Sequence, residues 1–191
     1  MIWCIISVGE IYILMNYLVC CFIGHRKIEY SVELEQKLTE LVENLIVKFN
    51  VGIFLFGSKS QFNDLCWDIV TKLKQKYPYI KRIYVRAEYN YDDNTIAYLL
   101  ERYEQTFFSR QIEHAGKYSY VERNQIMIRQ SDYCVFYYNK DYIPQRRQSK
   151  NNISSPNQSG TKLAFDYATR QKKKVFNVID VDSNKKPISY C

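Results

Sequence analysis

Arg123 stands in the stretch YVERNQIMIRQSDYCVFYYN (residues 120–139), between Tyr120 and Met127. Residues three and four apart share one face of a helix, so this cation is set among side chains that favour burial. Two outcomes are open: the arginine reaches out to solvent, or it is held at a sheet edge to meet an anion. Two further stretches carry phosphate chemistry. FGSKS holds Gly57, Ser58 and Lys59, and SGT holds Ser159, Gly160 and Thr161. Each reads as a strand-to-helix turn with free backbone N–H groups, hydroxyls and a positive helix end, the components of a phosphate cradle. Gly and Ser are also ordinary turn residues. A third strand end reads Gly24, His25, Arg26. Arg26 is either a surface charge or a ligand contact, and His25 either a hydrogen-bonded turn residue or a catalyst. Glu88 is a solvated acid or a contact to a ribose hydroxyl. Asn124 is a capping residue or a ligand contact, and Tyr137 and Tyr138 serve strand packing or base stacking.

Positioning such groups on one edge requires an ordered core. The chain has 191 residues, 47% hydrophobic and 25% charged, with only 6 Gly and 4 Pro, which fits one globular domain rather than a disordered chain. Its net charge of +7 favours anionic partners: a phosphorylated small molecule, nucleic acid or an anionic surface. The run Gln171-Lys172-Lys173-Lys174 reads as a solvated basic face closing a helix, where cations suit the dipole. The six cysteines (Cys4, Cys20, Cys21, Cys66, Cys134, Cys191) show no metal-ligand spacing and only two His are present, so neither a metal nor a cofactor is expected. Buried, reduced thiols point to a cytoplasmic protein. The first 24 residues are apolar apart from Glu10 and Asn16. No basic residue precedes that run and its last third reads as a strand, so no membrane association is expected. Residues 1–14 are read as an N-terminal extension and 15–191 as a single domain, with Met15 a candidate start.

Strands and helices alternate along that domain. Apolar strands are expected at 17–23, 51–57, 80–89, 133–138 and 174–180. Helices are expected at 31–48, 60–77, around 95–113, at the stretch containing Arg123, and at 161–171. Alternation of this kind gives parallel βαβ units, hence a three-layer, Rossmann-like, doubly wound and mainly parallel sheet of about five strands. The polar stretch 139–160 is the one long loop. In open α/β sheets ligands bind beyond the carboxyl ends of the strands, where every group named above is expected to lie.

The ordered segments ERNQIMIRQSDYCVFYYN and SGTKLAFDYA resemble the signature half of the SLOG superfamily. That superfamily unites the Smf/DprA DNA-processing proteins with the LONELY GUY-type phosphoribohydrolases. In the hydrolases a Glu-Arg-Lys stretch leads through a helix to Ala-Asp and an apolar strand, then to a Pro-Gly-Gly-x-Gly-Thr turn and acids. Glu122-Arg123, Met127, Ser131-Asp132 and Gly160-Thr161 occupy the matching places. FIGHR and FLFGS also resemble the first two strand ends of uncharacterised bacterial SLOG-domain proteins. The resemblance covers roughly residues 17–180 and implies a domain that binds a nucleotide or nucleotide-derived ligand, with Arg123 as a phosphate or substrate contact.

Two departures bear on catalysis. The Pro-Gly-Gly piece is replaced by the polar loop. Where the hydrolases carry a glutamate after Gly-Thr, this chain reads Lys162-Leu163-Ala164, and Asp166 falls about half a turn further along. A carboxylate near the sugar is the usual stabiliser of an oxocarbenium-like transition state. The expectation is therefore a sensor or ligand-binding module for a nucleotide-derived small molecule. The alternatives are a nucleoside 5'-monophosphate phosphoribohydrolase, with Arg123 and Glu88 (or Glu122) as catalytic groups, and single-stranded DNA binding. Whether the chain forms a homo-oligomer is open.

Overall fold

A computed structural model of the chain describes residues 17–142 and 159–180. The proposed extension at 1–14 and most of the long polar loop lie outside the described residues. Six strands form one all-parallel sheet: β1 (Leu18–Gly24), β2 (Val51–Phe56), β3 (Lys81–Val85), β4 (Gln105–Phe107), β5 (Tyr133–Tyr137) and β6 (Lys174–Asn177). Their spatial order is β4-β3-β2-β1-β5-β6. Five helices connect them: α1 (Val32–Phe49), α2 (Gln61–Lys76), α3 (Asp93–Arg102), α4 (Ser119–Gln130) and α5 (Gly160–Arg170). The fold is the expected doubly wound α/β architecture, with six strands rather than five.

Local chemistry sets most boundaries. Ser31 caps α1 by accepting from the Leu34 N–H, with Glu33 and Glu35 in the first turn. Asn50, at φ 53°, closes that helix in the left-handed conformation that Asn tolerates. Ser60 caps α2 in the same way through the Asn63 N–H. Leu34, Leu38, Val42, Leu45 and Ile46 form the buried stripe of α1. All six residues of β2 are buried, as a central parallel strand requires.

Successive side chains along β1 point to opposite faces. Cys20 and Phe22 join the apolar layer under α1 and α2, to which Leu99 of α3 also contributes. Cys21 and Ile23 join the layer under α4 and α5 with Met127, Ile128, Ala164 and Ala168. Phe22, Phe54, Phe56 and Phe62 are sealed in the first layer. Each side chain of this size contributes about 1.5–3 kcal/mol on burial.

The expected helix at 95–113 is a correction. Only Asp93–Arg102 is helical; β4 then pairs with β3 through Ile83↔Gln105 and Val85↔Phe107, and short 3-10 turns follow at Arg110–Ile112 and Gly116–Tyr118. A three-residue, half-buried edge strand leaves no periodicity to read. The strand expected at 80–89 also stops at Val85, although the Arg86 N–H still donates to the Phe107 carbonyl of β4 at 2.8 Å. Lys173 is not simply solvated: its ammonium donates to the carbonyls of Arg129 and Ser131, closing the end of α4. Among the described residues no helix is long and apolar enough to cross a membrane.

Candidate functional site

From β1 the chain winds one way through β2, β3 and β4, and the other way into β5 and β6. The reversal falls between β1 and β5, whose ends lie side by side in the pair Gly24↔Tyr137. An open parallel sheet has its crevice at this point, beyond the carboxyl ends. Gly24–Arg26 and Gly57–Lys59, at the ends of β1 and β2, and Ser159–Thr161, at the start of α5, lie along that carboxyl edge.

Arg123, on α4, is 3% exposed. Its Nε donates to Asn124 Oδ1 at 3.1 Å, and its guanidinium carbon lies 5.5 Å from the centre of the Tyr120 ring. No ion pair forms at this arginine among the described residues. Neither terminal nitrogen makes a hydrogen bond there, and neither is sealed from solvent. Burial pushes the guanidinium pKa down, against the opposing influence of the Tyr84, Tyr91 and Tyr120 hydroxyls. The arginine thus neither snorkels to the surface nor finds a carboxylate. It is almost wholly stripped of water, and its terminal nitrogens make no hydrogen bond among the described residues.

Gly57 makes this placement possible. A Cβ there would sit 2.6 Å from Arg123 Cδ, 2.9 Å from its Nε and 2.8 Å from Met127 Sδ. The arginine lies flat on the end of β2 because that position carries no side chain.

The two presumed cradles differ. At Gly57–Ser58 the backbone N–H groups are not free: both donate to Asn63 Oδ1, at 3.3 and 3.2 Å. Asn63 is 2% exposed, and its amide nitrogen donates to the Phe22 carbonyl at 3.3 Å. This one side chain ties the ends of β1 and β2 to the start of α2 and occupies the place of an anion. The Ser58 hydroxyl pairs with that of Ser60, and Lys59 is exposed without a partner among the described residues. The turn is a rigid support rather than a phosphate cradle.

At the start of α5, Ser159 Oγ accepts from the Lys162 N–H at 3.1 Å. Among the described residues the N–H groups of Gly160 and Thr161 make no bond, as expected for a first helical turn. Gly160 borders open space, and the buried Thr161 keeps an unbonded hydroxyl that is not sealed from solvent. This turn retains what an anion needs. No hydrogen bond joins it to Arg123 among the described residues.

His25 is 2% exposed, its ring stacked on Tyr142 at 3.9 Å. The Asn139 N–H lies 3.0 Å from its Nε2. Nε2 also lies 3.1 Å from the Asn139 carbonyl, so it accepts from the N–H or donates to the carbonyl according to the tautomer. Nδ1 is sealed and without a partner. Burial pushes the His25 pKa down, partly opposed by its backbone contact with Asn139. His25 therefore pins the chain leaving β5. Beside it, Gly24 admits the Phe62 ring, which a Cβ would meet at 2.4 Å. Arg26 is exposed and unbonded among the described residues, although its carbonyl accepts from the Gln61 N–H. Tyr137 is buried in the core and accepts from the Glu29 N–H, while Tyr138 packs on Phe165 at 4.7 Å. Both serve packing.

Glu88 is exposed and accepts from the Tyr120 hydroxyl at 3.1 Å. Glu122 is half-buried and makes no hydrogen bond among the described residues. Asp166 is paired with Lys162 at 2.7 Å. Among the described residues no three metal-ligating side chains are grouped to hold a metal ion.

Sequence reasoning passed over Asn63, Arg86, Tyr84 and Tyr91. Asn63 had a signal: it stands three residues after the capping Ser60, the place of the reciprocal residue in a capping box. The tyrosines had none, since a chain with 18 of them gives no reason to single out two. Compared with known proteins, the chain matches no family model and no curated protein.

Proposed function

We propose that this chain is a nucleotide-binding module that holds a phosphoryl group at Arg123, beyond the carboxyl edge of its sheet. The observation that carries this reading is a guanidinium buried to 3% exposure, unpaired with any carboxylate among the described residues, with both terminal nitrogens free of hydrogen bonds there. Burying a charge without a partner is costly, and an anion that docks on the open fork offsets that cost. The uncapped N–H groups of Gly160 and Thr161 supply a second set of donors on the same edge. The ordered motifs support a place in the SLOG superfamily. The buried cysteines, all four of the described ones free, support a reducing, cytoplasmic setting.

A sensor or ligand-binding role fits better than hydrolysis. Asp166, the acid nearest in sequence to the hydrolase position, is spent on Lys162, and Leu163 and Ala164 carry no acid. The hydrolase reading has one observation in its favour, the Tyr120-bound Glu88. Calorimetry with AMP and other nucleoside monophosphates tests binding. Arg123→Ala is expected to weaken it by about 1.5–3 kcal/mol, the worth of a hydrogen bond to a charged group. An unchanged dissociation constant in a folded variant would remove Arg123 from the site.

A further inference from the structure

We propose that His25 is a pH-sensitive latch: its neutral ring holds Asn139–Tyr142 against the end of β1, and uptake of one proton releases that segment.

The segment leaves the sheet just past β5. Among the described residues, its hydrogen bonds to the rest of the chain all run to His25. The Asn139 N–H lies 3.0 Å from Nε2 and the Asn139 carbonyl 3.1 Å from it. The Tyr142 ring stacks on the imidazole at 3.9 Å. The other bonds are internal: the Asp141 N–H donates to Asn139 Oδ1 at 2.8 Å, and the Tyr142 N–H to the Asn139 carbonyl at 3.2 Å. Tyr138, one residue earlier, is tied to Asn177 of β6 instead. The hold on the segment therefore depends on one side chain, and that residue is only 2% exposed.

The neutral ring fits this place. Nε2 has a partner in either tautomer, and the cost is one unpaired but uncharged nitrogen at Nδ1. The imidazolium does not fit. It carries N–H on both nitrogens, so Nε2 can no longer accept from the Asn139 N–H, and the Nδ1–H of a cation is sealed with no acceptor. The titratable groups facing the ring are phenols: Tyr137 and Tyr138, with ring centres at 6.4 and 6.0 Å, and Tyr142. The start of α2 contributes the uncharged Phe62, packed beside Gly24. The neighbouring charges, Arg26, Lys140 and Asp141, are exposed, and the Asp141 carboxylate makes no bond to the ring among the described residues. The stack on Tyr142 favours a cation but offers Nδ1–H no acceptor.

Burial pushes the His25 pKa below the ordinary 6.5, against a smaller opposing push from the Asn139 backbone. A base held below its unfolded value lends stability above that value and loses it as pH falls through the folded one. Opening the segment returns the ring to water and to its ordinary affinity for a proton.

NMR of the full chain with ring-labelled histidine, together with hydrogen exchange, tests the latch. The His25 ring, assigned by its loss in His25→Gln, is expected to titrate below its value in the urea-unfolded chain. Protection of the amides at 139–142, corrected for intrinsic exchange, should fall about tenfold per pH unit below the ordinary histidine value, as for opening coupled to uptake of one proton. That dependence should vanish in His25→Gln, which keeps a donor and an acceptor without a titrating charge. His25→Phe, which keeps the stack on Tyr142, serves if the glutamine variant does not fold. A ring that titrates at or above its unfolded value overturns the proposal. So does protection at 139–142 that stays constant while the ring titrates, or a pH dependence that persists in a folded variant. Should neither variant fold, the wild-type chain still decides: loss of protection that sets in at a pH where the ring takes up no proton overturns the latch.

Discussion

Replacing Arg123 by Met is expected to make the ligand-free protein more stable while removing its affinity for phosphoryl ligands. Methionine follows much the same course through the packed stem region, over Gly57 and beside Met127, without the charge. Two favourable contacts are lost. The bond from Nε to Asn124 is worth about 1 kcal/mol, and the cation–π contact with Tyr120 about 0.5–1 kcal/mol. Set against them is relief of the penalty for burying an unpaired charge, which after relaxation is still several kcal/mol. The sign agrees with the titration behaviour. Burial lowers the Arg123 pKa below its unfolded value, so at neutral pH the charged form costs folding stability. A net gain of about 1–2 kcal/mol follows, or roughly 2–8 °C in melting temperature for a chain of this size. Differential scanning calorimetry without ligand, paired with nucleotide titrations, reads both halves. A lower melting temperature in Arg123→Met would mean that the guanidinium is a structural contact already satisfied within the fold, and the reasoning would be refuted.

Further expectations follow from the same contacts. Gly57→Ala places a methyl group 2.6 Å from Arg123 Cδ, so it should destabilise by about 1–3 kcal/mol and weaken nucleotide binding by moving the arginine, as read by urea titration and calorimetry. Asn63→Ala should cost about 2–4 kcal/mol in chemical denaturation, because it orphans the Gly57 and Ser58 N–H groups and the Phe22 carbonyl together. Burial alone pushes the Glu104 carboxyl up, but bonds from the Arg82 side chain and backbone outweigh it and hold its pKa below the ordinary value. That pairing stabilises above the unfolded carboxylate range and is lost as pH falls through the folded value, so Glu104→Gln should flatten this part of the acid limb in urea midpoints. Release of free base from AMP, GMP or CMP, followed by chromatography, should stay near background. Robust release abolished by Glu88→Gln would instead establish a relocated catalytic carboxylate.

The sequence carried the fold wherever burial imposes a period. Leu34 to Ile46 form one helical stripe, and the continuous apolar runs of β1, β2 and β5 mark strands covered on both faces. β4 was illegible because a half-buried edge strand of three residues has neither period nor apolar run. The edge of the sheet was legible for a topological reason: alternating strands and helices put every strand's carboxyl end on one side. Which groups there remain open was not legible. Gly57–Ser58 and Ser159–Thr161 read alike as Gly and Ser turns, yet Asn63 fills the first and nothing described fills the second. That distinction depends on where a single amide side chain six residues downstream folds back. Arg123 was legible as a conflict between a cation and its apolar face. Its resolution by a missing Cβ at Gly57 depends on two strands and a helix meeting, which no local pattern encodes.

The central claim is that the open fork of Arg123 receives a phosphoryl group. A crystal structure of the full chain grown with AMP tests it most directly. The account predicts phosphoryl oxygens within hydrogen-bonding distance of both Arg123 terminal nitrogens, with Nε still bonded to Asn124 and the arginine still lying on Gly57. AMP bound elsewhere, with the Arg123 fork bare or turned onto a carboxylate of the chain itself, would contradict it.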